Sequence, residues 1–399
     1  MRVLMLSWEY PPHVVGGLGK HVAELAPALS AEGVEVHLLT PRWLGGPQQE
    51  RLGRGMVYRV DAPPHSELTD FFGDTQRCNG LLQEQGKRIV GEVGGFDIIH
   101  AHDWLVAFAA IGLKNEFKIP LLATIHATEH GRNRGNVSSD ISQSIHSTEW
   151  WLTYEAWRVV CCSEYMASEV TNIFRSPRDK IDIIPNGIET GRFDALAGTN
   201  LSSFRAAYAA PDERIVFYVG RIVHEKGLGV LIEGAPRVLA GYPKTKFVIA
   251  GTGGYVEAAR RRAKELGVAK SMYFTGFIPD ESRDRLFKVA DVAVFPSLYE
   301  PFGIVALEAM AARTPVVVSN VGGLAEVVTH AETGLLVYPD NPDSLAWGIL
   351  ETLRHPEWAA ARVDNAYRKV VSEYNWRSIA ARTAAVYARI ARERAVTVW

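Results

Sequence analysis

Short apolar runs alternate with longer segments of helical periodicity along the first half of the chain. The run at residues 2–7 is followed by a loop rich in proline and glycine, and then by residues 18–31, where apolar side chains recur every three or four positions. The same order repeats, and the predicted strands of this half span residues 2–7, 34–40, 56–60, 96–100, 120–125, 159–162 and 181–185. Strands that alternate with helices predict a parallel, doubly wound sheet.

The pattern starts again after a polar stretch at residues 186–211. The second series of predicted strands spans residues 214–219, 246–250, 272–274, 292–295 and 315–319, and helical patterns follow at 228–239, 357–370 and 376–392. Two tandem α/β units therefore follow from the pattern, with a cleft between them. Ligands are expected at the carboxyl ends of the parallel strands.

Composition narrows the function classes. A length of 399 residues favours two domains, and a net charge of −2 gives no global basic field that would attract nucleic acid. The first apolar run is too short for a signal peptide, and no stretch approaches the ~20 apolar residues of a membrane span. These features predict a cytoplasmic protein without a transmembrane segment. The three cysteines form no CxxC pair, and buried, reduced thiols are expected.

The segment SLYEPFGIVALE contains the most informative pair of carboxylates. Glu300 follows the predicted strand at 292–295, and a helix is predicted to begin near Gly303, where free N–H groups form an anion site. Glu308 falls inside that helix, about two turns beyond Glu300. Its carboxylate is expected to be solvated or to accept a hydrogen bond from a ligand hydroxyl. The alternative is a surface glutamate followed by an ordinary helix-entry glutamate.

Two cations occur in the loop between the first strand and first helix of the second unit. Arg221 follows the strand directly, and Lys226 precedes the helix, which is an arrangement suited to a diphosphate. Exposed loop cations without a ligand are the alternative. In the first unit, Gly16 and Gly17 lie between the first strand and the first helix, where paired glycines let the backbone approach a ligand. An ordinary strand-to-helix turn is the alternative there.

Histidines cluster at two predicted strand ends in the first unit. His100 and His102 alternate along one strand and should share a face, whereas Asp103 should point the other way. His126 follows the next strand. A metal site is one interpretation of these residues, and a polar lining of the cleft is the favoured one, so no metal ligand is predicted.

Taken together, these segments resemble the GT-B glycosyltransferases, and specifically the retaining class called family 4. The resemblance covers nearly the whole chain and rests on the E-x7-E pair with PFG, the R-x4-K pair and the glycine-rich first loop. It implies two Rossmann-like domains with an interdomain cleft. The expected boundaries are residues 1–195 for an acceptor domain, 196–375 for a donor domain, and 376–399 for a helix that crosses back.

The resemblance also implies roles for individual residues. Glu308 would bind the ribose hydroxyls of a nucleotide sugar, and Arg221 and Lys226 would neutralise its diphosphate. Glu300 would bind the transferred hexose, and His126 would line the sugar pocket; with the two cations these form the catalytic set. The other expected donor contacts are Gly16, Gly17, Gly276, Phe277, Ile278, Phe302, Gly303 and Ile304. No cofactor is implied.

WEYPP and TIHATEHGR are similar to the glycogen-synthase-like branch, which uses ADP-glucose or UDP-glucose. That branch carries K-x-G-G-L in its first loop, whereas here Val14 stands at the lysine position. A glucan acceptor is therefore expected, with a small glycoside, polyol or lipid acceptor as the alternative. A nucleotide-sugar epimerase on the same fold and a binding protein without catalysis are the remaining rivals.

Overall fold

A computed structural model describes residues 1–63 and 70–398 of the chain. The chain divides into two compact units. Unit 1 contains Met1–Gly187 and the segment that begins at Trp376, and unit 2 contains Ile188–Asn375. Residue 399, the last of the segment predicted to cross back, lies outside the described residues. Within the described ranges, no helix combines the length and the apolar character needed to cross a bilayer.

Unit 1 is built on a sheet with the order β3-β4-β2-β1-β5-β6-β7-β8. Its strands are β1 Arg2–Leu6, β2 Glu35–Arg42, β3 Gln49–Leu52, β4 Gly55–Asp61, β5 Ile98–His102, β6 Leu121–Ile125, β7 Arg158–Cys161 and β8 Ile181–Ile183. Its helices are α1 Gly17–Ala31, α2 Phe71–Val93, α3 Ala107–Phe117, α4 Glu129–Arg132, α5 Asp140–Glu155 and α6 Glu164–Phe174, with a later helix at Trp376–Ala395. The pairings are parallel except for β3 with β4.

Unit 2 carries a second parallel sheet, with the order β11-β10-β9-β12-β13-β14. Its strands are β9 Arg214–Val219, β10 Thr245–Ala250, β11 Met272–Gly276, β12 Val292–Phe295, β13 Val316–Ser319 and β14 Leu335–Val337. Its helices are α7 Gly191–Asp194, α8 Ser202–Ala206, α9 Leu228–Gly241, α10 Val256–Glu265, α11 Asp280–Val289, α12 Ile304–Ala311, α13 Leu324–Val327, α14 Pro342–Arg354 and α15 Pro356–Glu373. The last helix of the chain, at Trp376–Ala395 in unit 1, is α16.

The apolar runs of the sequence form the buried centres of both sheets. Strand β1 is buried almost throughout, and its neighbours β2 and β5 pair with it in parallel. Helices α1 and α16 pack against each other over this sheet, and Ile379 and Tyr387 of α16 join the same apolar core as Leu25. The predicted doubly wound α/β fold is confirmed in both units.

Candidate functional site

A glycine allows the loop that follows β9 to pack closely against the segment that follows β12. Gly227 has a φ of +68°, and a Cβ at this position would lie 1.8 Å from the carbonyl oxygen of Pro296. Only glycine tolerates both the left-handed backbone and this approach. The loop is fixed by the N–H of Leu298, which donates to the carbonyl oxygen of Glu225 at 2.8 Å. The carboxyl ends of two central strands therefore meet at Lys226.

The side chains of Lys226 and Glu300 form a salt bridge at this edge of the sheet. The Nζ atom lies 2.8 Å from Oε2 of Glu300, and the hydroxyl of Ser297 donates to the same oxygen at 3.1 Å. Glu300 is buried, and the two donors hold its carboxylate in a fixed position. Both residues were predicted for the site, and the structure brings them into direct contact.

Arg221 makes a looser contact. Its guanidinium is half exposed and lies 3.5 Å from a carboxylate oxygen of Glu225. Exposed pairs of this kind stabilise a fold little, so the Arg221 side chain is easily redirected to an anion.

The segment after Glu300 turns sharply into α12. Gly303 precedes the helix with a φ of +109°, and a Cβ there would lie 2.6 Å from the Leu324 side chain. Ile304 begins the helix, so its first N–H groups lie at the predicted anion site. The ring of Phe302 is buried and packs beside Tyr374, which leaves only its backbone available for a ligand.

The carboxylate of Glu308 is buried among charged side chains. Its side chain is 1% exposed, and Oε1 is 2.8 Å from Nη2 of Arg192 and 3.2 Å from Nη2 of Arg283. Of the two predicted alternatives, a solvated carboxylate is wrong, because the side chain is buried and two guanidiniums neutralise it. A hydrogen bond from a ligand hydroxyl stays a prediction. Asp284 contacts both arginines and completes the group.

The predicted base-contact segment lies at the end of β11. Gly276 has a φ of +73°, and its carbonyl accepts a hydrogen bond from the N–H of Gly251 at 2.8 Å. This bend exposes the ring of Phe277, and Ile278 is half-buried. An exposed ring next to backbone polar groups is a surface on which a nucleobase can stack.

In unit 1, the carboxylate of Glu9 binds backbone N–H groups of the first glycine-rich loop. The N–H groups of Val15 and Gly16 donate to Oε2 of Glu9 at 2.8 and 3.0 Å, just before α1 begins at Gly17. A Cβ on Gly19 would lie 2.6 Å from that oxygen, so glycine makes room for the carboxylate. The loop is therefore built to hold a negative group, and Glu9 was absent from the predicted site.

His100 and His102 lie in a buried cluster rather than in the predicted polar lining. His100 and His102 share a face of β5, as predicted, with ring centroids 4.2 Å apart, but both are buried. His100 Nε2 lies 2.7 Å from Oγ1 of Thr124 and its Nδ1 lies 2.7 Å from the hydroxyl of Tyr387, so α16 covers it. The cleft-lining interpretation is wrong for these two residues.

His126 joins this cluster from the end of β6. Its Nε2 lies 3.1 Å from Nδ1 of His102, and the ring of His21 lies edge-on to it with centroids 4.8 Å apart. Burial, with a smaller contribution from Arg132, lowers the pKa of His126 to about 3. The imidazole is therefore neutral at pH 7 and can exchange hydrogen bonds with a hydroxyl without placing a charge there.

Asp103 fixes the backbone beside this cluster. It adopts a φ of +61°, which is unusual for a non-glycine residue, and its carboxylate accepts a hydrogen bond from the N–H of His126 at 2.7 Å. Burial raises the pKa of Asp103 to about 6. This side chain, predicted to point away from His100 and His102, holds the segment that carries His126.

One group of side chains has the spacing of a metal site. The candidate ligand nitrogens of His21, His102 and His126 lie within 4.8 Å of one another. Imidazole nitrogens without carboxylates suit zinc or a neighbouring transition metal rather than magnesium. His21 comes from α1, some 80 residues from His102, so no local spacing in the sequence marks it as a member.

Two sequence families match most of the chain. The family described as Glycosyltransferase Family 4 matches residues 15–192, and the family described as Glycosyl transferases group 1 matches residues 202–369. An uncharacterized glycosyltransferase of Methanocaldococcus jannaschii is 39% identical over 396 residues, which cover 98% of this chain and 99% of that protein. A glycogen synthase of Mycobacterium tuberculosis is 37% identical and covers 97% of this chain and 94% of its own length.

Among solved structures, a sucrose-phosphate synthase from Thermosynechococcus elongatus superimposes with a TM-score of 0.81. The two chains are 27% identical, and the match covers 98% of this chain and 99% of the other. Both units of the present chain are thus represented in one related enzyme.

Proposed function

The chain belongs to the glycosyltransferases of GT-B fold, and we propose that it moves a hexose from a nucleotide sugar to a carbohydrate acceptor with retention of anomeric configuration. The contact between Lys226 and Glu300 carries this proposal. It joins a cation suited to a phosphate and a carboxylate suited to sugar hydroxyls. Both lie at the carboxyl ends of β9 and β12, where doubly wound sheets bind ligands.

Departure of the nucleoside diphosphate defines the electrostatic task. Negative charge develops on the leaving oxygen, and Lys226, Arg221 and the first N–H groups of α12 at Gly303 and Ile304 would stabilise it. Lys226 supplies a point charge and Arg221 a planar fork. In this scheme no divalent cation is needed for the leaving group.

The hexose would be held by Glu300 and His126. Charge develops on the sugar as the transition state becomes oxocarbenium-like, and a buried carboxylate beside it is stabilising. His126, which is neutral for the reason given above, would exchange hydrogen bonds with a hydroxyl of the hexose. We propose front-face attack by an acceptor hydroxyl, so that the new bond forms on the face from which the diphosphate leaves, and the hydroxyl proton passes to the departing diphosphate oxygen.

Glu308 would bind the ribose hydroxyls, and Gly276, Phe277 and Ile278 would contact the base. Gly16 and Gly17 would place backbone N–H groups near the donor, in the loop that Glu9 now occupies. Phe302 would contribute only its backbone. These assignments rest on the family resemblance together with the positions of the residues at strand ends and helix starts.

Glucose from ADP-glucose or UDP-glucose is the donor that we propose, and a glucan is the acceptor. The relation to a glycogen synthase at 37% identity over nearly the full length supports this choice. Val14, at the position of the lysine in glycogen and starch synthases, favours a second candidate, transfer to a small glycoside, polyol or lipid. The fold is shared with a sucrose-phosphate synthase, so it is not restricted to glucan acceptors.

Product analysis tests the proposal. The protein is incubated with ADP-glucose or UDP-glucose and with glycogen, a maltooligosaccharide, or a phosphorylated monosaccharide, and the product linkage is determined by NMR. An α-linked glucan product is expected. A β-linked product would exclude retention, and an altered nucleotide sugar formed without acceptor would establish an epimerase. Binding of the donor with neither outcome, once polyol and lipid acceptors have also been tried, would favour a binding protein.

A further inference from the structure

Glu308 is the innermost member of a charged group that links three helices of unit 2. Arg192 comes from α7, Arg283 and Asp284 come from α11, and Glu308 comes from α12. The two arginines balance the two carboxylates, which is the condition under which buried charges are tolerated. Arg192 is the most exposed member, with a side chain that is 24% accessible, whereas Glu308 is 1% accessible.

The two arginines are held in different ways. Arg283 donates to Asp280 at 2.6 Å and to Asp284 at 3.3 Å on its own helix, so its position does not depend on α7. Arg192 has no acidic neighbour on α7 that binds it in the described structure. Its guanidinium lies 4.6 Å above the ring of Phe193 and reaches across to Glu308 at 2.8 Å and Asp284 at 3.4 Å.

Phe193 explains why Arg192 has this orientation. The ring is fully buried and lies edge-on to Phe287 of α11, with centroids 6.5 Å apart. This contact anchors α7 against α11, and the cation–π contact then directs the guanidinium toward α12. Loss of Arg192 would remove the shorter of the two arginine contacts to Glu308, and the other arginine, Arg283, is already engaged by Asp280 and Asp284.

We propose that Arg192 is a positioning residue for donor binding: by binding Oε1 of Glu308, it fixes the plane and the charge of the carboxylate that accepts the ribose hydroxyls. This inference rests on the proposed ribose role of Glu308. It adds that the affinity for the ribose hydroxyls depends on a residue of α7, outside the E-x7-E and R-x4-K segments. A merely structural ion pair would support folding without changing the recognition of those hydroxyls.

The test compares nucleotides that differ only in one hydroxyl. The dissociation constants of ADP and UDP, and of their 2′-deoxy and 3′-deoxy forms, are measured by calorimetry for the full-length protein. A hydrogen bond to a charged carboxylate corresponds to a loss of roughly 10- to 100-fold on deoxygenation. We expect that penalty in the native protein, and a penalty below about threefold in Arg192→Gln, because the carboxylate is no longer held.

Two further variants make the result decisive. Arg205→Gln is the matched control, since Arg205 is 22% accessible and lies 3.4 Å from Asp291; it should keep the native penalty. Arg192→Lys keeps a charge but lacks the planar fork that reaches Asp284 through Nε and Glu308 through Nη2, so its penalty should also fall. This variant carries the test if the glutamine variant does not fold. A folded Arg192 variant with the native penalty would overturn the inference.

Glu308→Gln separates this inference from the proposed function. Loss of the penalty in Glu308→Gln but not in the Arg192 variants would leave the ribose role in place and remove the role of Arg192. Absence of any penalty in the native protein would remove the ribose role itself, and the inference with it.

Discussion

The Nζ atom of Lys226 and the Oε2 atom of Glu300 lie 2.8 Å apart, so the cation proposed for the diphosphate and the carboxylate proposed for the hexose share one hydrogen bond. The hydroxyl of Ser297 donates to the same oxygen. Substitution of either member changes the environment of the other. Kinetic constants of variants at this pair must therefore be accompanied by a measurement of folding.

Lys226→Ala is expected to lower kcat by at least about tenfold, because the charge that develops on the leaving group loses its nearest proposed partner. The buried Glu300 also loses its cation, so the melting temperature should fall as well. Turnover is measured with saturating donor at a temperature where both proteins are folded. Lys244→Ala is the control, since Lys244 forms an exposed pair with Asp212 in the same unit. Unchanged turnover in Lys226→Ala would remove this residue from the site.

Substitutions of the two carboxylates should separate binding from chemistry. Contacts to the ribose are similar in the ground state and the transition state, so Glu308→Gln should raise the donor KM and leave kcat little changed. Glu300→Gln should mainly lower kcat, because charge develops beside it. Complete donor saturation curves distinguish the two effects. A Glu308 variant with the native KM and a reduced kcat would exclude the ribose assignment.

Glutamine is preferred to alanine at position 308 because two guanidiniums converge on this carboxylate. Breaking a buried pair by truncation costs about 3–5 kcal/mol, which would confuse a loss of binding with a loss of folding. Melting temperatures of both variants are the necessary control.

Unit 1 should lose stability on acidification. Burial is the main cause that lowers the pKa values of His21, His100, His102 and His126 below 6.5. Such groups contribute stability above pH 6.5, which is lost as the pH falls, because the unfolded chain then binds protons that the folded protein excludes. At pH 5 a histidine that stays neutral in the folded protein costs about 2 kcal/mol. The raised pKa values of Asp103 and Glu149 act with the opposite sign.

His21→Leu tests the acid effect without replacing a proposed catalytic residue, although it alters a ring contact of His126. Urea unfolding at pH 7 and pH 5 should show a loss of stability that is smaller in the variant than in the native protein, by at most about 2 kcal/mol. His13→Leu, at a partly exposed histidine of unit 1, should behave like the native protein. Equal losses in the native protein and His21→Leu would mean that His21 is not held neutral in the folded state.

Strands with continuous apolar runs could be predicted from the sequence, because burial on both faces leaves a strong signal. The run at residues 292–295 coincides with β12, and that at 214–219 coincides with β9. Two strands were missed: β3, whose sequence QERL is polar and lies at the sheet edge, and β14, which has three residues. Neither length nor pattern distinguishes such segments from loops.

The candidate site was predictable as a set of residue types at strand ends, but not as a set of contacts. Lys226 and Glu300 are 74 positions apart, and Arg192 is 116 positions from Glu308. Alternation along β5 correctly placed His100 and His102 on one face. It could not reveal that Tyr387 of α16 covers that face, because the docking of a distant helix leaves no local pattern.

Transfer activity should survive excess EDTA. The proposed leaving-group stabilisers are Lys226, Arg221 and the N-terminus of α12, and none of these requires a divalent cation. The competing hypothesis is specific, because candidate nitrogens of His21, His102 and His126 lie within 4.8 Å of one another and one of these residues, His126, is proposed to contact the hexose. Initial rates are measured before and after dialysis against EDTA, with Mg²⁺, Mn²⁺ and Zn²⁺ added back separately. Loss of activity that only Zn²⁺ restores would assign a catalytic metal to the histidine cluster. Restoration by Mg²⁺ or Mn²⁺ would indicate a cation at the diphosphate. Either result would overturn the metal-independent mechanism.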